Sequence, residues 1–285
     1  MLDLLFPKRC AGCGSGAWPF CAGCRSELIV LAQPWCERCG APSVRSVAGC
    51  RDCPPESIAM ARAPFGFDGP VRRAVHRLKF AGWRPVAGAL AEAMVRVWEV
   101  QPRQQADVVT WVPLSRDRLA ARGYDQARAL ARSVAPRLGL TSAALLRRAG
   151  DLGPQARRGG QARREAMRGM FAASAPPPER VLLVDDVLTT GATAGACAEA
   201  LIAAGARDVS VLTAARAASS ARTIVSARAP AERAEARGSK ARPILAEGSR
   251  PGLWLPRGAF PRQSMPAAGE ATHVSRPLVG EHGAV

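Results

Sequence analysis

The sequence predicts an α/β fold: a parallel sheet preceded by a small module of four-cysteine metal sites. Three observations carry the prediction. Residues 181–184, Val-Leu-Leu-Val, and residues 107–112, Asp-Val-Val-Thr-Trp-Val, read as strands buried on both faces. Each is followed by a helical apolar pattern, giving repeated strand–helix units. Eight of the nine cysteines fall within residues 10–53, in four Cys-x-x-Cys pairs. A chain of 285 residues is long enough for one α/β domain plus something smaller.

The cysteine pairs are Cys10/Cys13, Cys21/Cys24, Cys36/Cys39 and Cys50/Cys53. A Cys-x-x-Cys knuckle places two thiolates on one side of a tight turn, and two knuckles complete a tetrahedral zinc site. Gly12, Gly14, Gly23 and Gly40 sit where such knuckles turn. Four pairs give two sites, most simply the first two pairs and the last two, with crossed pairing left open. Four thiolates leave no free position on the metal, so both sites are structural. Trp18, Phe20 and Trp35 offer faces for stacking bases, but they suit better the capping of a core too small to close unaided. Residues 1–57 form this module.

Residues 58–216 carry the sheet. Residues 65–69 read as a strand and turn. Residues 71–83 have helical apolar spacing at Val71, Val75, Leu78 and Phe80, with Arg72, Arg73, Arg77 and Lys79 on the opposite face. His76 there is a packed or surface histidine as readily as a ligand contact. Residues 85–98 form an amphipathic helix with Pro85 in its first turn. The strand at 107–112 runs into Pro113-Leu114-Ser115-Arg116, then Arg118, Arg122 and Gly123-Tyr124-Asp125-Gln126, with a helix to about residue 138. Backbone amides at a strand end, with Ser115 and Arg116, suit a diphosphate. Residues 141–171 are read as a closing loop, with Arg147, Arg148, Arg157, Arg158, Arg163, Arg164 and Arg168 and a Gly159-Gly160 hinge. Cys197 falls on the apolar face of a helix over 194–204, and residues 208–214 read as the next strand. Residues 217–285, rich in Ala, Arg, Pro and Gly without apolar periodicity, are expected to be a disordered tail.

The whole is organised around residues 180–193, Arg-Val-Leu-Leu-Val-Asp-Asp-Val-Leu-Thr-Thr-Gly-Ala-Thr. Here the strand is expected to end in Asp185 and Asp186, with a loop of Thr189, Thr190, Gly191, Ala192 and Thr193 leading to a helix. Free amides and partial positive charge at a helix N-terminus attract a phosphate. Gly191 allows close backbone approach, and the threonine hydroxyls donate to phosphate oxygens. Carboxylates repel a phosphate and suit hydroxyls or a metal beside it. A ribose 5-phosphate, anionic at one end with a diol a few ångströms away, satisfies both halves.

Charge and hydropathy bound the rest. The formal net charge is +17 at pH 7, and three of the 40 basic residues are lysines. An arginine excess suits phosphorylated ligands or nucleic acid, and GC-rich coding also contributes to it. No apolar run approaches the roughly 20 residues needed to cross a bilayer. The first residues carry an early acid and too short an apolar stretch for a signal peptide. Cytoplasmic location is therefore expected, where paired cysteines imply metal rather than disulfides. Gly-x-x-x-x-Gly-Lys and strand-linked Gly-x-Gly-x-x-Gly motifs are absent.

Four apolar residues, two acids and Thr-Thr-Gly-x-Thr resemble the phosphoribosyl pyrophosphate (PRPP) signature of type I phosphoribosyltransferases. That resemblance implies Asp185 and Asp186 on the ribose hydroxyls and residues 189–193 on the 5-phosphate. It also implies Ser115, Arg116 and Arg122 near the pyrophosphate, with Mg²⁺ bound alongside PRPP. The whole order over residues 7–216 resembles the competence-associated ComF family, a double zinc ribbon plus a phosphoribosyltransferase-like domain. Asp68-Gly69-Pro70-Val71-Arg72-Arg73, His76-Arg77-Leu78-Lys79-Phe80, Arg122-Gly123-Tyr124-Asp125-Gln126 and Arg168-Gly169-Met170-Phe171 carry it. Asp125 and Ala166 stand where the family usually has Asn, which bears on catalysis more than on PRPP binding. Two readings follow. One is a transferase in which a nucleophile displaces pyrophosphate from PRPP, with Asp185 and Asp186 as catalytic residues. The other is a non-catalytic protein that binds single-stranded DNA, and other competence proteins, with a regulatory PRPP pocket. A zinc-ribbon adaptor with an empty sheet domain ranks third.

Overall fold

The computed structural model describes residues 9–101, 105–148 and 169–217. In chain order the elements are α1 (Ala22–Ser26), β1 (Met60–Arg62), β2 (Phe65–Gly66), α2 (Gly69–Phe80), α3 (Pro85–Glu99), β3 (Val108–Trp111), α4 (Arg116–Arg122) and α5 (Gln126–Val134). A 3₁₀ turn (Ala135–Leu138), β4 (Thr141–Ser142), β5 (Leu146–Arg148), β6 (Phe171–Ala173), β7 (Arg180–Leu188), α6 (Ala192–Ala203) and β8 (Asp208–Arg216) follow. Six strands form a parallel sheet in the order β1–β8–β7–β3–β4, with β2 also pairing to β8. β5 and β6 form a separate antiparallel pair. This is the parallel α/β architecture that the apolar runs predict.

Alternation along β7 divides the core. Leu182 and Val184 pack with Leu90 and Met94 of α3 and Leu130 of α5. Val181 and Leu183 pack with Cys197, Ala198 and Leu201 of α6. Helices thus cover both faces, which is why the strand lacks polar residues between Arg180 and Asp185. Cys197 is fully buried, as its apolar setting predicts.

The cysteine module shares this core rather than standing apart. Cys10, Ala11, Phe20, Cys24, Leu28 and Trp35 belong to the cluster that contains Val71, Val75 and Leu78 of α2. Phe20 and Trp35 are buried, so they serve packing and not stacking of bases. The basic face of α2 is partly used here as well. Arg73 Nε donates to Gly12 O at 2.9 Å and Arg77 Nη1 to Ala11 O at 2.6 Å.

Two expectations about element ends are corrected. β7 does not stop at the acidic pair; pairing with β8 continues through Val187↔Ala215 and Leu188↔Arg216. Val187 and Leu188 are good strand formers, and the long partner offers free backbone groups to them. Residues 116–122, expected within a loop, form α4, with Ser115 as its N-cap and Gly123 closing it at φ 73°. Arg157, Arg158, Arg163, Arg164, Arg168, the Gly159-Gly160 hinge and the expected tail beyond residue 217 lie outside the described residues.

Candidate functional site

Because β7 continues through residues 185 and 186, its two carboxylates leave opposite faces. Asp185 lines a pocket with Val187, Leu188, Thr189, Gly191, Ala192, Thr193, Ala194 and Thr213. This shallow concavity sits at the carboxyl ends of β7 and β8. Gly191 holds φ 75° as the N-cap of α6 and gives no side-chain cap, so the first amides of the helix are not capped from that position. Thr190 Oγ1 accepts from Ala192 N at 3.4 Å and is exposed beside the pocket. Burial pushes the Asp185 carboxyl well above the usual carboxylate range, and the charge of Asp186 adds to this.

On the other face, Asp186 is buried and accepts from Lys79 Nζ, 3.0 Å from its Oδ1. Asp186 N donates to Asp185 Oδ1 at 2.8 Å, tying the two acids through the backbone. Asp186 Oδ2 and the nearby Tyr124 hydroxyl are both buried without a hydrogen-bond partner within the chain. The Arg84 guanidinium lies 5.3 Å from the Tyr124 ring centroid. Arg122 stands 4.8 Å over the Phe80 ring and donates to Gln126 Oε1 at 3.1 Å.

Ser115 and Arg116 are the N-cap and first residue of α4. The Ser115 hydroxyl accepts from Arg118 N at 3.4 Å, while Arg116 is exposed. The structure therefore brings together Asp185, Thr189, Gly191, Ala192 and Thr193 in one pocket. It sets Asp186, Ser115, Arg116 and Arg122 outside that lining, with Thr190 at its edge. Two residues were missed by sequence reasoning. Thr213 is a buried hydroxyl among the apolar residues of β8, a signal that was visible. Lys79 was visible only as part of a basic helix face.

The eight paired cysteines form two clusters, Cys10/Cys13/Cys21/Cys24 and Cys36/Cys39/Cys50/Cys53, each with its Sγ atoms within 4.8 Å of one another. This is the uncrossed pairing. Zinc–sulfur bonds of about 2.3 Å in a tetrahedron place sulfurs roughly 3.8 Å apart. The thiols lie at 3.8 Å (Cys13 to Cys21), 3.6 Å (Cys36 to Cys53), 3.5 Å (Cys39 to Cys50) and 3.9 Å (Cys50 to Cys53). Knuckle amides also point at sulfur, with Cys21 N donating to Cys10 Sγ at 3.3 Å and Cys50 N to Cys53 Sγ at 3.2 Å. Burial pushes the Cys24 thiol up to about 12, and hydrogen bonds from Ser15 draw Cys13 down to about 6. Soft sulfur donors, tetrahedral spacing and amide support fit zinc at both sites.

Residues 1–54 match the double zinc ribbon domain family. A DNA utilization protein YhgH from Escherichia coli O157:H7 is 27% identical over 206 residues, covering 69% of this chain and 89% of that protein. The competence protein ComFC of Streptococcus pneumoniae is 25% identical over 197 residues, covering 66% of this chain and 84% of that protein. The chain thus resembles the ComF family. Among solved structures, a glutamine PRPP amidotransferase from B. subtilis aligns with TM-score 0.34 and 23% identity. That alignment covers 48% of this chain and 30% of the amidotransferase, a partial likeness of fold. The resemblance thus joins a double zinc ribbon to a parallel α/β sheet. No helix among the described residues is long and apolar enough to cross a membrane.

Proposed function

We propose that this chain is a PRPP-binding, phosphoribosyltransferase-like protein of the ComF type, located in the cytoplasm and associated with DNA uptake. The observation that carries this reading is the shared pocket. One acid, Asp185, faces the same space as Thr189, Gly191, Ala192 and Thr193 at the start of α6. A ligand bearing a phosphate beside hydroxyls matches that division of charge.

In this reading the uncapped amides and threonine hydroxyls hold the 5-phosphate, and Asp185 accepts from a ribose hydroxyl. Asp186, fixed by Lys79, presents its free Oδ2 to a second hydroxyl or to water. Arg122 and Arg116 supply positive charge toward the pyrophosphate, with Ser115 ordering their helix. Mg²⁺, when bound with PRPP, supplies further charge neutralisation of the pyrophosphate, and Asp185 is the pocket carboxylate suited to it. Transfer by positioning and charge stabilisation would break the bond between C1 and pyrophosphate as the acceptor attacks C1. Calorimetric titration with PRPP, with and without Mg²⁺, tests the reading. Saturable binding lost in Asp185→Ala supports it, and no binding at millimolar PRPP overturns it.

A second reading is favoured by the names of the relatives and by the formal charge of +17. Here the protein binds single-stranded DNA and PRPP regulates it. DNA affinity that falls steeply with salt and survives Asp185→Ala would place DNA binding outside the pocket.

A further inference from the structure

The second cysteine cluster does more than close on itself. Its last ligand, Cys53, is followed directly by Pro54 and Pro55, and these two rings cover the glycines of the pocket loop. A Cβ on Gly191 would lie 2.6 Å from Pro54 Cβ, and one on Gly195 would lie 2.7 Å from Pro55 Cγ. Glycine is therefore demanded at both positions by the prolines, in addition to the φ of 75° at Gly191.

The prolines are themselves held from within the knuckles. Arg38, between Cys36 and Cys39, donates through Nη2 to Pro54 O at 3.0 Å and to Pro55 O at 2.8 Å. Arg216, at the end of β8, donates to Cys39 O at 3.1 Å and to Asp52 O at 2.8 Å, so one guanidinium grips both knuckles. Ser57 Oγ donates to Gly195 O at 3.3 Å, fastening the outgoing chain to α6. Among the described residues the first cluster has no such reach. Its contacts run to α2, through Arg73 and Arg77.

We propose that Pro54 and Pro55 are positioning residues for the pocket loop, and that the second four-cysteine cluster keeps them seated. Metal at this cluster fixes the Cys36-x-x-Cys39 and Cys50-x-x-Cys53 turns, which fix Arg38 and the carbonyls that Arg216 grips. Those anchors press the prolines onto Gly191 and Gly195 and hold the left-handed turn that aims the first amides of α6. Loss of metal there loosens the loop while the sheet stays folded. The consequence for ligand rests on the proposed function; the mechanical link does not.

The test is amide hydrogen exchange of residues 189–195 in the ligand-free, full-length protein. It compares wild type with the Pro54→Gly/Pro55→Gly double variant, Pro54→Ala, Cys50→Ser and Cys13→Ser. The double glycine variant keeps all eight cysteines, and its 189–195 amides are expected to exchange about tenfold faster while β7 core amides are unchanged. Pro54→Ala keeps the Cβ that meets Gly191 and restores protection. Cys50→Ser follows the double variant, and Cys13→Ser follows wild type. PRPP titration then reads the cost: the dissociation constant rises by the inverse of the fraction of time the loop stays competent, so a loop competent about half the time binds about twofold more weakly. Unchanged loop exchange in the double variant, or an equal rise across the sheet, overturns the proposal. Should Cys50→Ser fail to fold, the proline variants decide. Should wild type fail to bind PRPP, the functional reading falls while the exchange comparison still decides the link.

Discussion

Lys79 Nζ lies 3.0 Å from Asp186 Oδ1, joining the last turn of α2 to the end of β7. The pair sorts two adjacent carboxylates that the sequence presents as equals. Asp186 receives a protein cation on Oδ1 and keeps Oδ2 without a partner, while Asp185, on the opposite face, is left to meet the pocket. Strand periodicity makes the division unavoidable once β7 runs past residue 185.

Removing the lysine while keeping the acid strands a buried carboxylate. Lys79→Met is expected to lower stability by about 1–3 kcal/mol, less than for a fully buried pair because the lysine retains some exposure. Asp186→Asn should unfold the protein far less, and Lys79→Met/Asp186→Asn should recover much of the loss. Urea melts of the four proteins give the coupling directly. Additive effects would mean that the pair is not an energetic unit. PRPP titration of Asp186→Asn separately tests whether its free Oδ2 touches ligand, with weaker binding expected.

Asp185 gives a pH signature. Its folded carboxyl titrates above its unfolded value, so the folded state holds the proton more tightly. Stability of the ligand-free protein then falls as pH rises from about 4 through the raised value, and levels off above it. Asp185→Asn removes this dependence. The variant should be more stable than wild type near pH 8, with the gap closing toward about pH 4–5. Both proteins keep the same thiols, so acid release of metal cancels in the comparison. A gap that widened toward acid would reverse the argument.

Much of this was legible in the residues. Two apolar runs located β3 and β7, and the cysteine spacing located both metal clusters, because period and ligand count are local properties. What stayed hidden is tertiary. That β7 continues past Asp186 depends on β8 lying alongside it. Lys79 becomes a partner of Asp186 only when α2 crosses the strand end, and nothing in His76-Arg77-Leu78-Lys79-Phe80 distinguishes it from the solvated basic residues nearby. Arg73 and Arg77 likewise look like a charged surface until the carbonyls of Ala11 and Gly12 are seen to receive them. Thr213 is the contrary case, since a hydroxyl in a buried strand signals a polar neighbour.

Two zinc ions per chain are expected by elemental analysis. Cys24→Ser and Cys39→Ser should each leave about one. Because thiolates gather only in the folded chain, chelation should cost several kcal/mol of stability. Loss of the first site is expected to loosen α2, and with it the Lys79 contact; loss of the second, the Gly191 turn. A chain with no metal and an unchanged thermal midpoint would refute the assignment of the clusters as zinc sites.

Asp125 offers the finest test of the segment between β3 and α5. Its Oδ1 accepts from Arg128 N at 3.0 Å and caps α5, while Oδ2 accepts from Leu114 N at 3.3 Å and pins the approach to Ser115. An alanine loses both bonds and leaves a part-buried backbone donor at Leu114, so Asp125→Ala should cost about 1–2 kcal/mol. Asparagine, the residue usual in the family that the chain resembles, keeps one acceptor and turns an NH₂ toward the other donor. Asp125→Asn should therefore cost about 1 kcal/mol, reduced by relief of the carboxylate's burial. Both costs are read from denaturant melts at matched pH. If the asparagine variant were as unstable as the alanine one, a single cap would not hold this loop, and the aspartate would be a requirement of this chain's own packing.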